Sequence, residues 1–431
     1  MVSVACGGGA CPLRSAPRFF SPYRPSFDWK SVPMQFAERL NNVETSAIRE
    51  LFKLLGKPGI VSFAGGFPDA ALFDVEGMKA AAQAALTEEP GAALQYGATE
   101  GYQPLREQLA GFMHGKGVAD VAADQLIVTT GSQQALDLLG KTMISPGDKV
   151  IVEGPTFLAT IQCFRLYGAE VISAPVDAQG VQVDVLERLI VEHRPKLVYL
   201  IPTFGNPSGA TLSLERRKRV LELAAQYQVL VVEDDPYGDL YFDAAPPPSL
   251  LALSKDVPGS REWLAHCGSL SKVLSPGLRI GWLIANPELL SRAVMCKQFS
   301  DAHTSTFAQA TAAQYLKAGH MPAALAKVRK VYAARAQAMM DALRSELGDA
   351  VEFTPPAGGL FLWLRLTGEG ADAGALAKQA IEQGVAFVPG APFFSQNPDT
   401  ATLRLSFATA DEARIREGVQ RLKRALEAVH A

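Results

Sequence analysis

The chain has 431 residues, 48% of them apolar and 20% charged, with a formal net charge of −3. That profile belongs to a globular protein long enough for a large core and more than one domain. Acids and bases are interspersed, so no basic stripe offers itself to nucleic acid, and no apolar run approaches the roughly 18 residues of a membrane span.

Taken in chain order, residues 1–25 hold Gly7-Gly8-Gly9, several prolines and no periodicity, without the apolar stretch of a secretory signal. A disordered extension, or a start codon assigned too early, is expected there. From residue 125 short apolar runs alternate with helical periods. The pattern predicts strands over 125–130, 149–153, 170–176, 197–201 and 229–234. Between them it predicts helices over 132–145, 156–167, 183–193 and 214–227, with a turn at Pro146-Gly147-Asp148. Strands apolar on both faces and separated by helices require a parallel sheet covered on two sides. Two further strands are expected over 263–268 and 280–285.

The pattern then changes. An Ala-rich helical stretch over 308–347 precedes strands over 360–366, 385–388 and 402–407 and helices over 373–383 and 411–429. This is a smaller α+β unit, and residues 41–64, set off by Gly65-Gly66 and Pro68, are expected to join it. The chain thus reads as an extension over 1–25, an arm with part of the small unit over 26–66, a large α/β unit over 67–307 and a small unit over 308–431. Five cysteines (Cys6, Cys11, Cys163, Cys267, Cys296) are scattered and lack metal-ligand spacing, which predicts reduced thiols in a cytoplasmic protein and no metal site.

Several segments carry chemistry. In Gly268-Ser269-Leu270-Ser271-Lys272-Val273-Leu274-Ser275-Pro276-Gly277-Leu278-Arg279-Ile280-Gly281 a lysine follows an apolar strand, beside hydroxyls, with an arginine further on. Lysine condenses with an aldehyde to an imine. Serine and arginine bind a phosphate dianion, arginine bidentately. A solvated Ser-Lys loop is the plain alternative. Thr129-Thr130-Gly131-Ser132-Gln133-Gln134-Ala135 ends a strand and opens a helix, where free N–H groups and the helix dipole favour an anion, unless Ser132 is only an N-cap. Glu233-Asp234-Asp235-Pro236-Tyr237 puts three acids at the carboxyl end of a parallel strand, where α/β sheets bind ligands; solvated turn acids are the alternative. Pro202-Thr203-Phe204-Gly205-Asn206-Pro207-Ser208-Gly209 is a turn after a buried strand. Phe157, after Glu153-Gly154-Pro155-Thr156, stacks on a ring or fills the core. In Thr402-Leu403-Arg404-Leu405-Ser406-Phe407 an arginine interrupts an apolar strand. It is costly to bury without a partner, and a carboxylate suits its geometry, unless it faces water from an edge strand.

Together with Tyr96-Gly97-Ala98-Thr99-Glu100-Gly101-Tyr102-Gln103-Pro104-Leu105-Arg106, these segments fall in the order found in class I and II aminotransferases of fold type I, and across residues 45–408 the chain resembles that family. The resemblance implies an α/β fold with a mostly parallel sheet in a large cofactor-binding domain, a smaller α+β domain, and pyridoxal 5′-phosphate as cofactor. It implies that Lys272 holds the cofactor as a Schiff base. Ser132, Gln133, Ser269, Ser271 and Arg279 would surround its phosphate, and Phe157 would stack on its ring. Asn206 and Tyr237 would meet its phenolic oxygen, with the Asn206–Pro207 bond cis. Asp234 would face its pyridine nitrogen, chosen over Glu233 and Asp235 for its Asp-x-x-Tyr spacing to Tyr237. Arg404 would clamp the substrate α-carboxylate. Tyr96 would reach the phosphate of a neighbouring subunit, which implies a homodimer with shared sites.

The start, Ser46-Ala47-Ile48-Arg49-Glu50-Leu51 with residues 60–66 and Pro68, is similar to the branch of 2-aminoadipate and kynurenine-type enzymes, which also holds aromatic and branched-chain ones. There Arg49 would read an acidic substrate tail, with Gly66 and Asn206 beside the substrate. The implied reaction is transamination in two halves, from an amino acid to a 2-oxo acid such as 2-oxoglutarate, with Lys272 moving the proton as base and acid. A β-lyase, a decarboxylase or a cyclopropane-carboxylate synthase on the same cofactor remains open. So does a non-enzymatic regulator, which would carry a basic winged-helix segment of roughly 70 residues in front, the size of a small domain.

Overall fold

The apolar runs build one large sheet and two small ones. The computed structural model describes residues 34–40 and 59–430. The chain divides into two units, Met1–Glu38 and Arg39–Ala431. Of the first, only residues 34–38 are described, and they are exposed. The expectations for 1–25, for Arg49 and its surrounding segment, and for Cys6 and Cys11 lie outside the described residues. Everything below concerns the second unit.

Its strands are β1 (Val61–Ser62), β2 (Leu126–Thr130), β3 (Lys149–Gly154), β4 (Glu170–Asp177), β5 (Gly180–Val181), β6 (Leu197–Leu200) and β7 (Leu230–Asp235). They continue with β8 (Leu264–Ser269), β9 (Ile280–Ile284), β10 (Val351–Phe353), β11 (Phe361–Leu366), β12 (Val385–Ala386), β13 (Val388–Pro389) and β14 (Thr402–Ser406). The large sheet runs β2-β9-β8-β7-β6-β3-β4-β5. Its centre is parallel from β4 through β3, β6 and β7 to β8. Strands β6 to β9 are buried along their whole length, as a sheet covered on both faces demands. Two strands depart from the parallel pattern: the two-residue edge strand β5 is antiparallel to β4, and β9 is antiparallel to both neighbours, β8 and β2. Only a short loop separates β9 from β8, too short for the crossover that a parallel pair needs.

The small antiparallel sheet is β10-β11-β14-β13, and β1 pairs in parallel with β12. Residues 385–388, expected as one strand, are therefore split between two sheets. The stretch 308–347 is two helices, Thr306–Lys317 and Met321–Glu346. Gly319, at φ +73°, takes the left-handed turn that ends the first, and Pro322 suits the opening turn of the second. Helices Val75–Glu88, Gln103–Gly115 and Pro287–Ser300 were not expected. The first is capped by Asp74, which accepts from Gly77 N, and the last by Asn286, which accepts from Leu289 N.

Candidate active site

A cleft of ≈ 390 Å³ opens at the carboxyl ends of β7 and β8 and is bounded by β11 and β14 of the small sheet. Lys272, just beyond β8, lines it. Its Nζ donates to the carbonyl of Gly66 at 2.6 Å. Burial, with Arg404 and Arg279 nearby, pushes its pKa down to about 8, so the neutral amine is within reach near neutral pH.

At one end of the cleft lie Ser132, Gln133, Ser269, Ser271 and Arg279. Gly131, at φ +77°, turns the chain from β2 into helix Ser132–Met143, and a Cβ there would collide with the Arg279 guanidinium. Arg279 Nη2 lies 3.3 Å from the Thr130 carbonyl and Nη1 3.5 Å from Ser271 Oγ. Gly281 on β9 is equally constrained: a Cβ would lie 2.6 Å from Ser132 N. Two glycines thus let an arginine and a helix start close on one small volume, an arrangement suited to a phosphate.

Along the sheet, three consecutive acids end β7, all buried. Strand alternation sends Glu233 and Asp235 to one face and Asp234 to the other. Glu233 accepts from Leu250 N at 2.6 Å and Leu251 N at 3.1 Å and bonds His266 Nδ1 at 2.9 Å. Asp235 accepts from Lys116 Nζ and Gly238 N, each at 2.9 Å. Against the burial that would raise it, Lys116 and the nearby His266 hold Asp235 down at about 2. Asp234 differs. Its Oδ2 accepts from the Tyr199 hydroxyl at 2.6 Å, its Oδ1 has no partner, and burial pushes its pKa up to about 7. Asp234 is the one of the three that lines the cleft.

Over this floor stand Asn206, Tyr237 and Phe157. The Asn206–Pro207 bond is cis, and so is Gly154–Pro155. Tyr237 is buried with its ring edge-on to Phe361 at 5.9 Å, and burial pushes its hydroxyl well above the usual phenol range. Phe157 ends the turn from β3 and caps helix Leu158–Leu166, two residues later than the helix start expected at 156. Arg404, on β14, is buried. Its Nη1 donates to Asn206 Oδ1 at 2.8 Å, its Nη2 donates to the Ala64 carbonyl at 2.9 Å, and its Nε is unpartnered. Phe361 and Phe393 flank the guanidinium at 4.2 and 5.0 Å. Burial lowers its pKa to about 10.

The structure therefore brings together Gly66, Ser132, Gln133, Phe157, Asn206, Asp234, Tyr237, Ser269, Ser271, Lys272, Arg279 and Arg404. Tyr96 stays outside: it is 85% exposed, edge-on to His303. The sequence reading passed over Phe361, Phe393 and Tyr199. All three sit in or beside apolar runs, where only the polar hydroxyl of Tyr199 could have drawn notice.

A Lys-bearing cleft over a mostly parallel sheet, with a cradle suited to a phosphate, a lone acid and a buried arginine, is the kind of site that suits a phosphorylated aromatic cofactor. The profile of the family "aminotransferase class I and II" matches residues 64–422. The chain is 43% identical over 92% of its length to the 2-aminoadipate transaminase of Thermus thermophilus, covering 97% of that protein. It is 39% identical to the aromatic-amino-acid aminotransferase 1 of Thermococcus litoralis, covering 92% of this chain and 94% of that one. The crystal structure of LysN, the α-aminoadipate aminotransferase of Thermus thermophilus, complexed with N-(5′-phosphopyridoxyl)-L-leucine, superposes with a TM-score of 0.85 at 42% identity, covering 92% of this chain and 98% of that one.

The chain belongs to the class I and II aminotransferases. It is a pyridoxal-phosphate-dependent enzyme of fold type I that moves amino groups between amino acids and 2-oxo acids. Its residues fit the cofactor. The partnerless Oδ1 of Asp234 suits a cationic ring nitrogen, and the volume beside Gly131 suits a phosphate. Among the described residues no helix is long and apolar enough to cross a membrane, and no group of His, Cys, Asp or Glu is placed to hold a metal ion.

Proposed function

We propose that this cleft is the catalytic centre and that its residues divide the work as follows. Lys272 would be the attachment point and, once the substrate amine has displaced it, the proton carrier: its freed neutral amine would take the proton from the substrate Cα and hand it to the cofactor carbon on the other side of the shared nitrogen. Ser132, Gln133, Ser269, Ser271 and Arg279 hold the phosphate, Phe157 stacks on the ring, and Asn206 with Tyr237 holds the phenolic oxygen. Asp234 holds the ring nitrogen protonated. When bound, the cofactor supplies the electron sink that makes the Cα proton removable. Arg404 grips the α-carboxylate common to all amino acids.

The observation that carries this reading is that two buried, incompletely satisfied charges, Asp234 Oδ1 and Arg404 Nε, line the same cleft as an amine lowered to about 8. We further propose that residues 67–307 form the cofactor-binding domain and 308–431 the small one. The large sheet draws its strands from 126–284, and the antiparallel sheet from 351–406.

The amino donor is 2-aminoadipate or an aromatic or branched-chain amino acid, and the acceptor is a 2-oxo acid such as 2-oxoglutarate; the names of the relatives above support the 2-aminoadipate and aromatic donors. Arg49 reads an acidic side chain. The working form is a cytoplasmic homodimer with shared sites, in which Tyr96 completes a partner's phosphate cradle. Leu94, Tyr96 and Phe299, all at least 70% exposed in the single chain, are apolar surface of the kind a partner covers.

Incubation of amino acids with 2-oxoglutarate and with pyruvate tests the reaction. Amine transfer to the 2-oxo acid is expected. Keto-acid-independent breakdown of the amino acid would point instead to lyase or decarboxylase chemistry. Borohydride reduction followed by peptide mapping is expected to find the cofactor on Lys272.

A further inference from the structure

We propose that Tyr199 is a positioning residue for the cofactor: through its hydroxyl bond to Asp234 Oδ2, it orients that carboxylate and keeps it anionic. The proposal rests on the reading of Asp234 as the ring-nitrogen partner.

The parallel pairing of β6 with β7 sets Tyr199 opposite Val232. Asp234 lies two residues further on, and so on the same face of the sheet. The hydroxyl-to-Oδ2 distance is 2.6 Å, both residues are at least 97% buried, and no other side-chain bond to Asp234 is present among the described residues. The ring of Tyr199 is itself fixed, edge-on to Phe164 at 6.1 Å.

A carboxylate has two acceptor oxygens, and a single donor on one of them leaves the other with a defined direction. Here that other oxygen is Oδ1, on the residue that lines the cleft. A hydrogen bond to the charged form also favours that form, whereas burial alone favours the neutral acid. A neutral acid would not hold a ring proton. Glu233 and Asp235 cannot replace Asp234, since they face the other side and are engaged by His266 and Lys116.

Tyr199→Phe removes the hydroxyl and keeps the ring. Bonds to charged groups in this range predict that the cofactor-free variant binds pyridoxal phosphate about ten- to a hundredfold more weakly. With ¹⁵N-labelled cofactor, the ring-nitrogen resonance should move toward the neutral pyridine position. The kcat should fall by a similar factor while KM for the amino acid, set by Arg404, changes little. Wild-type affinity together with an unmoved resonance overturns the proposal. A wild-type chain that fails to hold cofactor at Lys272 would instead overturn the reading beneath it.

A second measurement leaves residue 199 intact, should the variant not fold. In the loaded wild-type chain a phenol proton bonded to a carboxylate resonates downfield. Its presence for Tyr199 supports the proposal, and its absence overturns it.

Discussion

Asp234 and Arg404 are both buried and both lack a full set of partners, but the sheets that carry them differ. Asp234 is the penultimate residue of a strand of the large sheet with neighbours on both sides, β6 and β8, and is held by one side-chain bond from the adjacent strand β6. Arg404 sits on β14 of the small sheet, between two phenylalanine rings, and donates to Asn206 from beyond β6 and to Ala64 from beside β1. The acid end belongs to the rigid centre of one sheet. The arginine end is assembled from five separate stretches of chain. The first suits a group that stays bound, and the second suits ligands that exchange. Burial moves each charge toward neutrality: the acid rises to about 7 and the guanidinium falls to about 10.

The largest effect should come from the amine that shares their cleft. Lys272→Ala is expected to lower kcat by at least about 10⁴-fold, the upper range for a positioned proton carrier, with no borohydride-stable adduct. Steady-state rates and mass spectrometry check it.

Asp234→Asn should come next, lowering kcat by about 10²- to 10³-fold, the scale of a lost preorganised charge. Asp235→Asn, which disturbs Lys116 instead, should lower Tm and leave kcat nearly unchanged. Asp234→Asn has a second signature. The acid ionises near 3.8 in the unfolded chain but only near 7 in the cofactor-free folded one, so its contribution to stability falls as pH rises from about 4 through 7. Thermal unfolding at pH 8 should therefore find the cofactor-free variant more stable than the cofactor-free parent.

At the other end, Arg404→Lys should raise KM for every amino and 2-oxo acid by about ten- to a hundredfold, because one ammonium cannot replace the planar fork. Cofactor affinity should hold, which separates the two ends directly. The smallest effect is expected at Arg49. Arg49→Ala should weaken acidic substrates by roughly tenfold and leave aromatic or aliphatic donors unchanged. Equal effects on both classes would remove it from the side-chain pocket.

The sequence shows one end of this comparison more fully than the other. Short apolar runs and turn residues locate β3, β4, β6, β7 and β8, and the family resemblance, through the spacing of Asp234 to Tyr237, implies which acid faces the ring nitrogen. The physical reason for that choice was not legible. Lys116, His266 and Tyr199, which engage the three acids, come from three distant stretches. Phe361 and Phe393 look like any core phenylalanine until Arg404 lies between them. Strand direction leaves no mark on a period, so β9 read as one more strand of the parallel set. Ala-rich periodicity runs across Gly319 without a break, which hid the boundary between two helices. Residues 67–124 carry capping signals, such as Asp74 before Val75–Glu88, that mark helix starts in the sequence.

The alternation along β7 also sets what kinds of inherited change this site tolerates. Replacing a residue alters one side chain. Inserting or deleting one residue ahead of Glu233 turns every following side chain to the opposite face. Glu233 and Asp235 would then point at the cleft, and Asp234 toward Lys116 and His266. Both faces would be miswired by a change that leaves composition almost untouched. In any diverging lineage of this chain, length changes should therefore gather in connecting stretches clear of the site, such as residues 243–249, and stay out of the strand itself.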